Sequence, residues 1–234
     1  MSEDLILDFK YHIIDVNGNQ KDFKIQVDAK TLSIIPKETE DLPEWSLLEF
    51  KQCPNCSLNS EEVKYCPVAK NLFPIMEFFK DSVSFEDSVF VLETKNRNYS
   101  KHTSLQQGVS AMIGIIMATS GCPILSKLKP MVRFHLPFAS PQETLYRAMS
   151  MYLVQQYFKN KKGEEPDWEL EGLIKIYEKV HDVNLAFFKR LSYLKGKDAN
   201  VNSLIILDNF ANYVNFSIDR SKLSSIEELF EESL

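Results

Sequence analysis

The chain has 234 residues, 44% hydrophobic and 26% charged, a globular composition that excludes a wholly disordered or collagen-like chain. Its 27 Lys and Arg residues against 33 Asp and Glu residues give a net charge of −6, which argues against a generic nucleic-acid binder. Four cysteines in a chain of this length cannot form a disulfide scaffold.

The amino-terminal part has the pattern of an antiparallel sheet. Residues 5–14 and 23–27 are rich in β-branched and aromatic residues, and Asn17-Gly18-Asn19 lies between them. Asn-Gly is typical of a hairpin turn, because both residues tolerate positive φ. Residues 31–35 can add a third strand, and residues 88–94 predict another strand further along the chain.

Beyond residue 94 the pattern is mainly helical. Thr103–Gln106 has capping-box spacing, and Gly121 can end the helix that starts there. Ser140–Glu143 predicts a second helix start, with Ser as the N-cap and Pro at the first helical position. Apolar residues at helical spacing predict further helices over 167–195, 201–216 and 224–232.

These elements predict an α+β fold and a single domain over residues 1–234. We expect a small N-terminal antiparallel sheet in residues 1–50, a cysteine loop and short helix in 51–80, and a larger, mainly helical layer in 81–234.

The compartment is predicted from the absence of targeting signals. The chain begins Met-Ser-Glu-Asp, which is not the basic start of a secretory signal. The longest uncharged span, 102–126, has an apolar centre only at Val109–Ala118, the length of a buried core helix. We therefore expect a soluble cytoplasmic protein that does not associate with membranes and whose thiols stay reduced.

The cysteines have metal-ligand spacing. Cys53 and Cys56 form a C-x2-C pair, Cys66 follows after nine intervening residues, and Cys122 comes after a predicted helix end. A C-x2-C turn lets two thiolates share one tetrahedral ion, so a structural Zn²⁺ held by these four residues is the first hypothesis. His135 is an alternative fourth ligand.

Three other interpretations of the cysteines stay open. An iron–sulfur cluster is one, because three of the four cysteines precede proline, although the compact C-x2-C-x2-C run is missing. A redox dithiol at Cys53 and Cys56 is another. The last is four small buried side chains without chemistry.

An acid-free block from Thr94 to Gln142 contains no Asp or Glu. Because the block contains basic residues and no acidic ones, we expect a local positive potential there, which attracts phosphate or another anion. The residues predicted to bind the anion are Arg97, Tyr99, Lys101, His102, Arg133 and His135. The alternative is that these basic residues pair with the acidic segment at 165–171.

Two further features of the block were weighed. Cys122 with His135 could act as nucleophile and base, although no orienting acid lies nearby in the sequence. Ser110, Gly114 and Ala118 lie at four-residue spacing and predict a helix face that a neighbouring element approaches closely.

Five strings of the sequence carry a resemblance. They are Cys53-Pro54-Asn55-Cys56, Tyr65-Cys66-Pro67, Tyr99-Ser100-Lys101, Met117-Ala118-Thr119-Ser120-Gly121-Cys122-Pro123 and Arg133-Phe134-His135-Leu136-Pro137-Phe138. Together they resemble an uncharacterised bacterial family, one of the domains of unknown function, over most of the chain. The resemblance implies a bacterial cytoplasmic protein and brings no activity, substrate or cofactor with it.

The sequence thus favours a binding or regulatory protein with a structural Zn²⁺ site and a basic pocket for an anionic, phosphate-like ligand. One alternative is an enzyme that uses the metal, or Cys122 with His135, on a phosphate-bearing substrate. Another is a structural or oligomeric adaptor, such as a homodimer, with no small-molecule site. Nucleic acid is not an expected partner.

Overall fold

The computed structural model describes residues 5–36, 41–194, 196, 198–219 and 223–231. Its sheet has four strands, all paired antiparallel in the order β2-β1-β3-β4. The strands are β1 (Ile6–Asp15), β2 (Gln20–Asp28), β3 (Asp87–Glu93) and β4 (Asn98–Ser104). Helices dominate the later part of the chain, so the predicted α+β class is confirmed.

The hairpin predicted at Asn17-Gly18-Asn19 joins β1 to β2. Gly18 has a φ of +80°, and the Asp15 carboxylate accepts the backbone N–H groups of Asn17 and Asn19 at 2.8 and 2.9 Å. Alternation along β1 then buries one face of the sheet. The side chains Phe9, Tyr11 and Ile13 of that face belong to the core.

The third predicted strand, at residues 31–35, does not form. Leu32 has a φ of +53°, which turns the chain out of the extended conformation. What remains is one isolated bridge between Val27 and Ile34. The Ile34 N–H donates instead to the carbonyl of Thr119, 3.0 Å away, so this segment ties the hairpin to a helix end.

The described residues form seven α-helices. They are α1 (Pro67–Phe78), α2 (Leu105–Thr119), α3 (Lys129–Arg133), α4 (Pro141–Lys161), α5 (Glu171–Leu191), α6 (Ala199–Asp219) and α7 (Ser224–Glu227). Ser140 caps α4 as predicted: its hydroxyl accepts the Glu143 N–H at 3.2 Å, and its own N–H donates to the Glu143 carboxylate at 2.7 Å. The helix ends predicted at 195 and 232 lie outside the described residues.

The helix α5 begins at Glu171, four residues later than the sequence predicts. The Asp167 carboxylate accepts the backbone N–H groups of Glu171 and Gly172 at 3.3 and 2.7 Å. Asp167 therefore lies outside the helix and accepts hydrogen bonds from backbone N–H groups of the first turn, which have no partner within the helix.

Helix α2 lies at the centre of the fold, between the sheet, α1 and α6. Most of its side chains are buried, and Gly108 lets it approach the ring of Phe90 on β3 more closely than any Cβ would allow. Gly121 follows its end with a φ of +96°, as expected of a C′ glycine. In the part of the chain that the structure describes, no helix has the length and apolar character to cross a membrane.

Arg133 and His135 alternate with apolar residues, a pattern that predicts a short extended segment, but the segment is not extended. It forms a short 3-10 helix at Leu125–Leu128 and then α3, and it turns sharply after Arg133. This segment, together with α4, encloses one side of a large cavity.

Candidate functional site

A cavity of about 700 Å³ lies among α2, α4, α5, α6 and the 125–139 segment. This volume is in the range of about 300–1,000 Å³ that is usual for small-molecule sites. Most of its wall is apolar, and a few polar side chains interrupt it. An apolar wall with a few polar side chains is also the usual composition of small-molecule sites.

The small residues of α2 form one wall of this cavity. Ser110, Gly114 and Ala118 line it, and α6 lies opposite with Leu207 and Phe210. A Cβ on Gly114 would lie 3.4 Å from the Leu207 side chain, so the two helices touch at that level. Elsewhere along the same face, the missing side-chain volume leaves open space. The small-residue face therefore allows a close approach at one level and shapes a cavity beside it.

Arg147 of α4 is the principal charge in the cavity wall. Its Nη2 donates to the carbonyls of Met131 and Phe134 at 2.9 and 3.0 Å, which fixes the guanidinium. Among the described residues no carboxylate lies within ion-pair distance of it. Burial lowers its pKa, yet a guanidinium stays charged at any physiological pH. The wall thus contains a half-buried cation whose observed partners are neutral carbonyls.

Other ionisable groups of this site stand near Arg147. Glu143 attracts it electrostatically, but the Glu143 carboxylate also accepts the Ser140 N–H in the helix cap. Tyr99 and Tyr177 interact with the guanidinium as well, and Lys101 of β4 lines the same cavity. Two cations and one carboxylate leave this part of the wall net positive.

His135 contributes a hydrogen bond rather than a charge. Its Nε2 lies 3.2 Å from the Tyr11 hydroxyl, and the edge of the ring contacts Phe9 with centroids 5.8 Å apart. Burial, and to a lesser extent the charge of Arg147, lower the His135 pKa to about 3. The imidazole is therefore neutral at physiological pH, and it joins the sheet to the cavity wall.

The structure brings together only part of the predicted anion-binding set. Lys101 and His135 line the cavity, and Tyr99 interacts with Arg147, which does too. Arg97 is exposed at the β3–β4 turn, beside the Tyr99 hydroxyl at 3.5 Å.

The other two members of the set point elsewhere. His102 alternates with Lys101 on β4 and so faces the opposite side of the sheet. Arg133 donates to the Ala29 carbonyl at 3.2 Å. The alternative was that these basic residues pair with residues 165–171. Among the described residues, the ion pair in that segment joins Glu171 to Lys175 of the same helix. Lys129 also reaches the hairpin region, where it donates to the Ser33 hydroxyl at 2.9 Å.

Arg147 is not among the residues predicted from the sequence, because it lies beyond the end of the acid-free block at Gln142. A signal was present in the helix that follows. Ser140, Thr144 and Arg147 recur at three- and four-residue spacing, which places them on one face of α4, and all three line the cavity.

The four cysteines meet at a second, smaller cavity. Cys53, Cys56, Cys66 and Cys122 all line it, all are free thiols, and its volume is about 20 Å³. The remaining wall is mostly apolar, with Leu48, Leu58, Val68, Ile124, Val183 and Phe187. The sequence prediction that the distant Cys122 joins the first three cysteines thus agrees with their placement.

Local backbone geometry places each thiol. The Cys56 N–H donates to the Cys53 carbonyl at 3.0 Å, which closes the C-x2-C turn. Cys66 is the residue before α1, and its N–H donates to the Ser46 carbonyl at 2.9 Å. Cys122 directly follows Gly121, whose left-handed backbone turns the chain back toward α1.

The four thiols do not form a ready-made site for a single ion. Among the described residues, no group of three or more His, Cys, Asp or Glu side chains could hold one metal ion. The tetrahedral Zn²⁺ site that the cysteine spacing predicts is therefore not present as a formed site. Burial raises the pKa of Cys53 to about 12, and it also raises the pKa of Cys66 and Cys122. A raised pKa is the reverse of what a reactive dithiol needs.

The suggested pair of Cys122 and His135 is not assembled. Cys122 lines the cysteine cavity, whereas His135 lines the larger cavity and bonds to Tyr11. The same separation keeps His135 from the other three thiols.

A family described as "Domain of unknown function (DUF6901)" matches residues 7–231, nearly the whole chain. No curated protein and no solved structure matches it.

Proposed function

The chain belongs to this family, DUF6901, whose function is unknown, and from the geometry of its larger cavity we propose that it binds an amphipathic organic anion. The observation that carries the proposal is Arg147: a half-buried guanidinium, bonded only to carbonyls, in the wall of an apolar cavity of about 700 Å³. The ligand would have an apolar body and one carboxylate or phosphate group.

The apolar walls select the body of the ligand. Binding to Leu207, Phe210 and the small residues of α2 removes apolar surface from water, which contributes about 25 cal/mol for each Å². A compact polar anion such as free phosphate would leave most of this wall without a partner. The sequence predicts a phosphate-like ligand. Such a ligand suits this cavity less well if it has no apolar part.

The cation selects the anionic group. Two backbone carbonyls hold Arg147 in place, so its other N–H groups are pre-oriented at little entropic cost. A hydrogen bond to a charged group contributes about 1.5–3 kcal/mol. Discrimination of about tenfold or more between an anion and its neutral analogue is therefore expected.

The single structural Zn²⁺ that the cysteine spacing predicts has no part in this proposal, because the described side chains form no site for one ion. An enzymatic role has no assembled group to support it either, since Cys122 and His135 line different cavities.

A pair of matched probes tests the proposal. Dodecanoate and 1-dodecanol share the same apolar chain and differ in charge, and binding of each to the full chain can be measured by calorimetric titration. We expect dodecanoate to bind and 1-dodecanol to bind at least about tenfold more weakly.

Two arginine variants test which positive charge binds the anionic group of the ligand. Arg147→Gln should weaken dodecanoate binding by about tenfold or more and leave 1-dodecanol binding nearly unchanged. Arg133→Gln removes an exposed arginine outside the cavity wall and should change neither. Failure of both probes to bind at millimolar concentration, or equal effects of the two variants, would overturn the proposal.

A further inference from the structure

The cysteine cavity is a second built site, independent of the ligand cavity. Its four thiols come from two distant parts of the chain, the 53–66 loop and the turn after α2. We propose that Cys53, Cys56, Cys66 and Cys122 bind an iron–sulfur cluster, with Arg190 as the cation that balances its charge.

The size of the cavity favours a body larger than one ion. The centre of a water-sized sphere has about 20 Å³ in which to move inside it, so the open space is larger than a single water molecule. Zn²⁺ lies only about 2.3 Å from each thiolate sulfur, and the sulfur's own radius takes up most of that distance. Four sulfurs gathered on Zn²⁺ would leave no such void. The four cysteines line one common space, yet among the described residues they form no group that could hold a single ion. Both observations suit sulfurs that surround a space without meeting at one point.

Arg190 gives independent evidence for negative charge at this place. It is 1% exposed, and among the described residues it has no carboxylate partner. Its Nη atoms donate to the carbonyls of Trp45, Leu47 and Leu48, and its Nε has no hydrogen-bond partner. An uncompensated buried cation is strongly unfavourable.

The ionisable groups that interact with the Arg190 charge are thiols. Cys66, Cys53 and Cys56 all act on this guanidinium. An iron–sulfur cluster with four thiolate ligands is an anion, and so it would compensate the arginine. The same residue also bonds the 45–48 segment, which in turn holds Cys66 through the Ser46 carbonyl at 2.9 Å. Arg190 thus joins the charge of the site to the loop that supplies its ligands.

The residues after the cysteines fit the same chemistry. Pro54, Pro67 and Pro123 each follow a cysteine, and proline cannot donate a backbone N–H. The surrounding apolar side chains keep water away, as buried clusters require. All of these features suit four thiolates around a polynuclear group.

The test is the composition of the full-length protein purified without oxygen. We expect about two or four iron atoms per chain, with acid-labile sulfide in equal amount and visible absorption that dithionite bleaches. If the protein is isolated without metal, anaerobic incubation with ferric salt, sulfide and dithiothreitol, which reduces the excess ferric iron, should restore the same composition. About one zinc per chain without sulfide would overturn the proposal, as would no iron uptake by the folded protein.

Variants identify the ligands. Cys53→Ala and Cys122→Ala should each lower the iron and sulfide retained to less than about a tenth of the wild-type amount, because a four-thiolate site is incomplete without one ligand. Ser57→Ala lies in the same cavity wall and should retain the full amount. If a cysteine variant does not fold, wild type and Ser57→Ala still decide the matter by their iron and sulfide content. Loss of dodecanoate binding in Arg147→Gln has no bearing on this result, so the two proposals fail separately.

Discussion

The Tyr11 hydroxyl lies 3.2 Å from the Nε2 atom of His135, and this pair connects β1, an inner strand of the sheet, to the wall of the larger cavity. Tyr11 is fully buried, so its hydroxyl has few other groups to bond. Burial also raises the Tyr11 pKa and lowers the His135 pKa, which keeps both partners neutral. A neutral pair can stay buried without a counter-ion, whereas a protonated imidazole could not.

The free energy of unfolding should fall as the pH drops below 6.5, with His135 as a principal cause. The unfolded histidine takes up a proton near its ordinary pKa of about 6.5, whereas the folded one does so only near 3. Between these values the unfolded state binds more protons, so stability is lost as the pH falls. The loss due to this group between pH 6.5 and 5.5 is about 1 kcal/mol.

Urea unfolding at pH 6.5 and 5.5 measures this loss. His135→Gln keeps a hydrogen-bonding group for Tyr11 and should lack this part of the pH dependence. His102→Gln changes an exposed histidine of β4 and should keep it. An equal pH dependence in wild type and His135→Gln would contradict the assignment.

The close approach of α2 to the sheet depends on Gly108. A Cβ at this position would overlap the ring of Phe90, which is fully buried. Gly108→Ala gains up to about 1 kcal/mol in helix propensity, but the overlap costs about 1–3 kcal/mol, so a net loss of stability is expected. Thermal unfolding measures it.

Gly114→Ala is the matched control for that substitution. The same helix gains the same propensity, and the nearest side-chain atom, on Leu207, is at an ordinary distance of 3.4 Å. This variant should be neutral or more stable by up to about 1 kcal/mol. The double variant Gly108→Ala with Phe90→Leu should recover part of the loss, and no recovery would show that the ring is not the cause.

Arg190 should be necessary for folding of the 45–48 segment. Arg190→Met preserves much of the apolar stem but removes the arginine donors from the carbonyls of Trp45, Leu47 and Leu48, and only the Leu47 carbonyl keeps another donor, the Phe50 N–H at 3.3 Å. Loss of such a buried set costs about 3 kcal/mol or more. Chemical denaturation measures the loss, with Lys189→Met as the control, since Lys189 is exposed on the same helix. A change below about 0.5 kcal/mol in Arg190→Met would contradict this role.

The sequence predicts well what local chemistry determines. The Asn-Gly turn and the Ser140 capping box form as expected, because each needs only residues within a few positions. The meeting of the cysteines was also predictable, since Gly121 ends α2 immediately before Cys122. Here a local signal sets the direction of the chain.

Other features depend on tertiary contacts and could not be predicted. The strand β4 has only two residues that are not exposed in its central five, so it shows no apolar alternation. It forms because β3 offers a free edge for pairing. Arg147 is one basic residue on an ordinary helix in the sequence, and only the packing of α4 against the 125–139 segment makes it part of a cavity wall.

The open volume beside α2 should determine whether the ligand cavity can be occupied. Ala111 lines the cavity and keeps part of its surface accessible, so Ala111→Leu would extend three more carbon atoms into open space without crowding the core. The variant should keep the stability of the wild type within about 1 kcal/mol. Dodecanoate binding should weaken by about tenfold or more, because the apolar chain loses room.

Gln106→Leu is the control for this experiment. It also adds apolar volume to α2, but Gln106 does not line the cavity. Calorimetric titration of both variants with dodecanoate separates the effect of position from that of hydrophobicity. Unchanged binding in Ala111→Leu would place the ligand outside this cavity. Equal weakening in the two variants would instead assign the effect to the helix as a whole, because only one of the two side chains can reach the ligand.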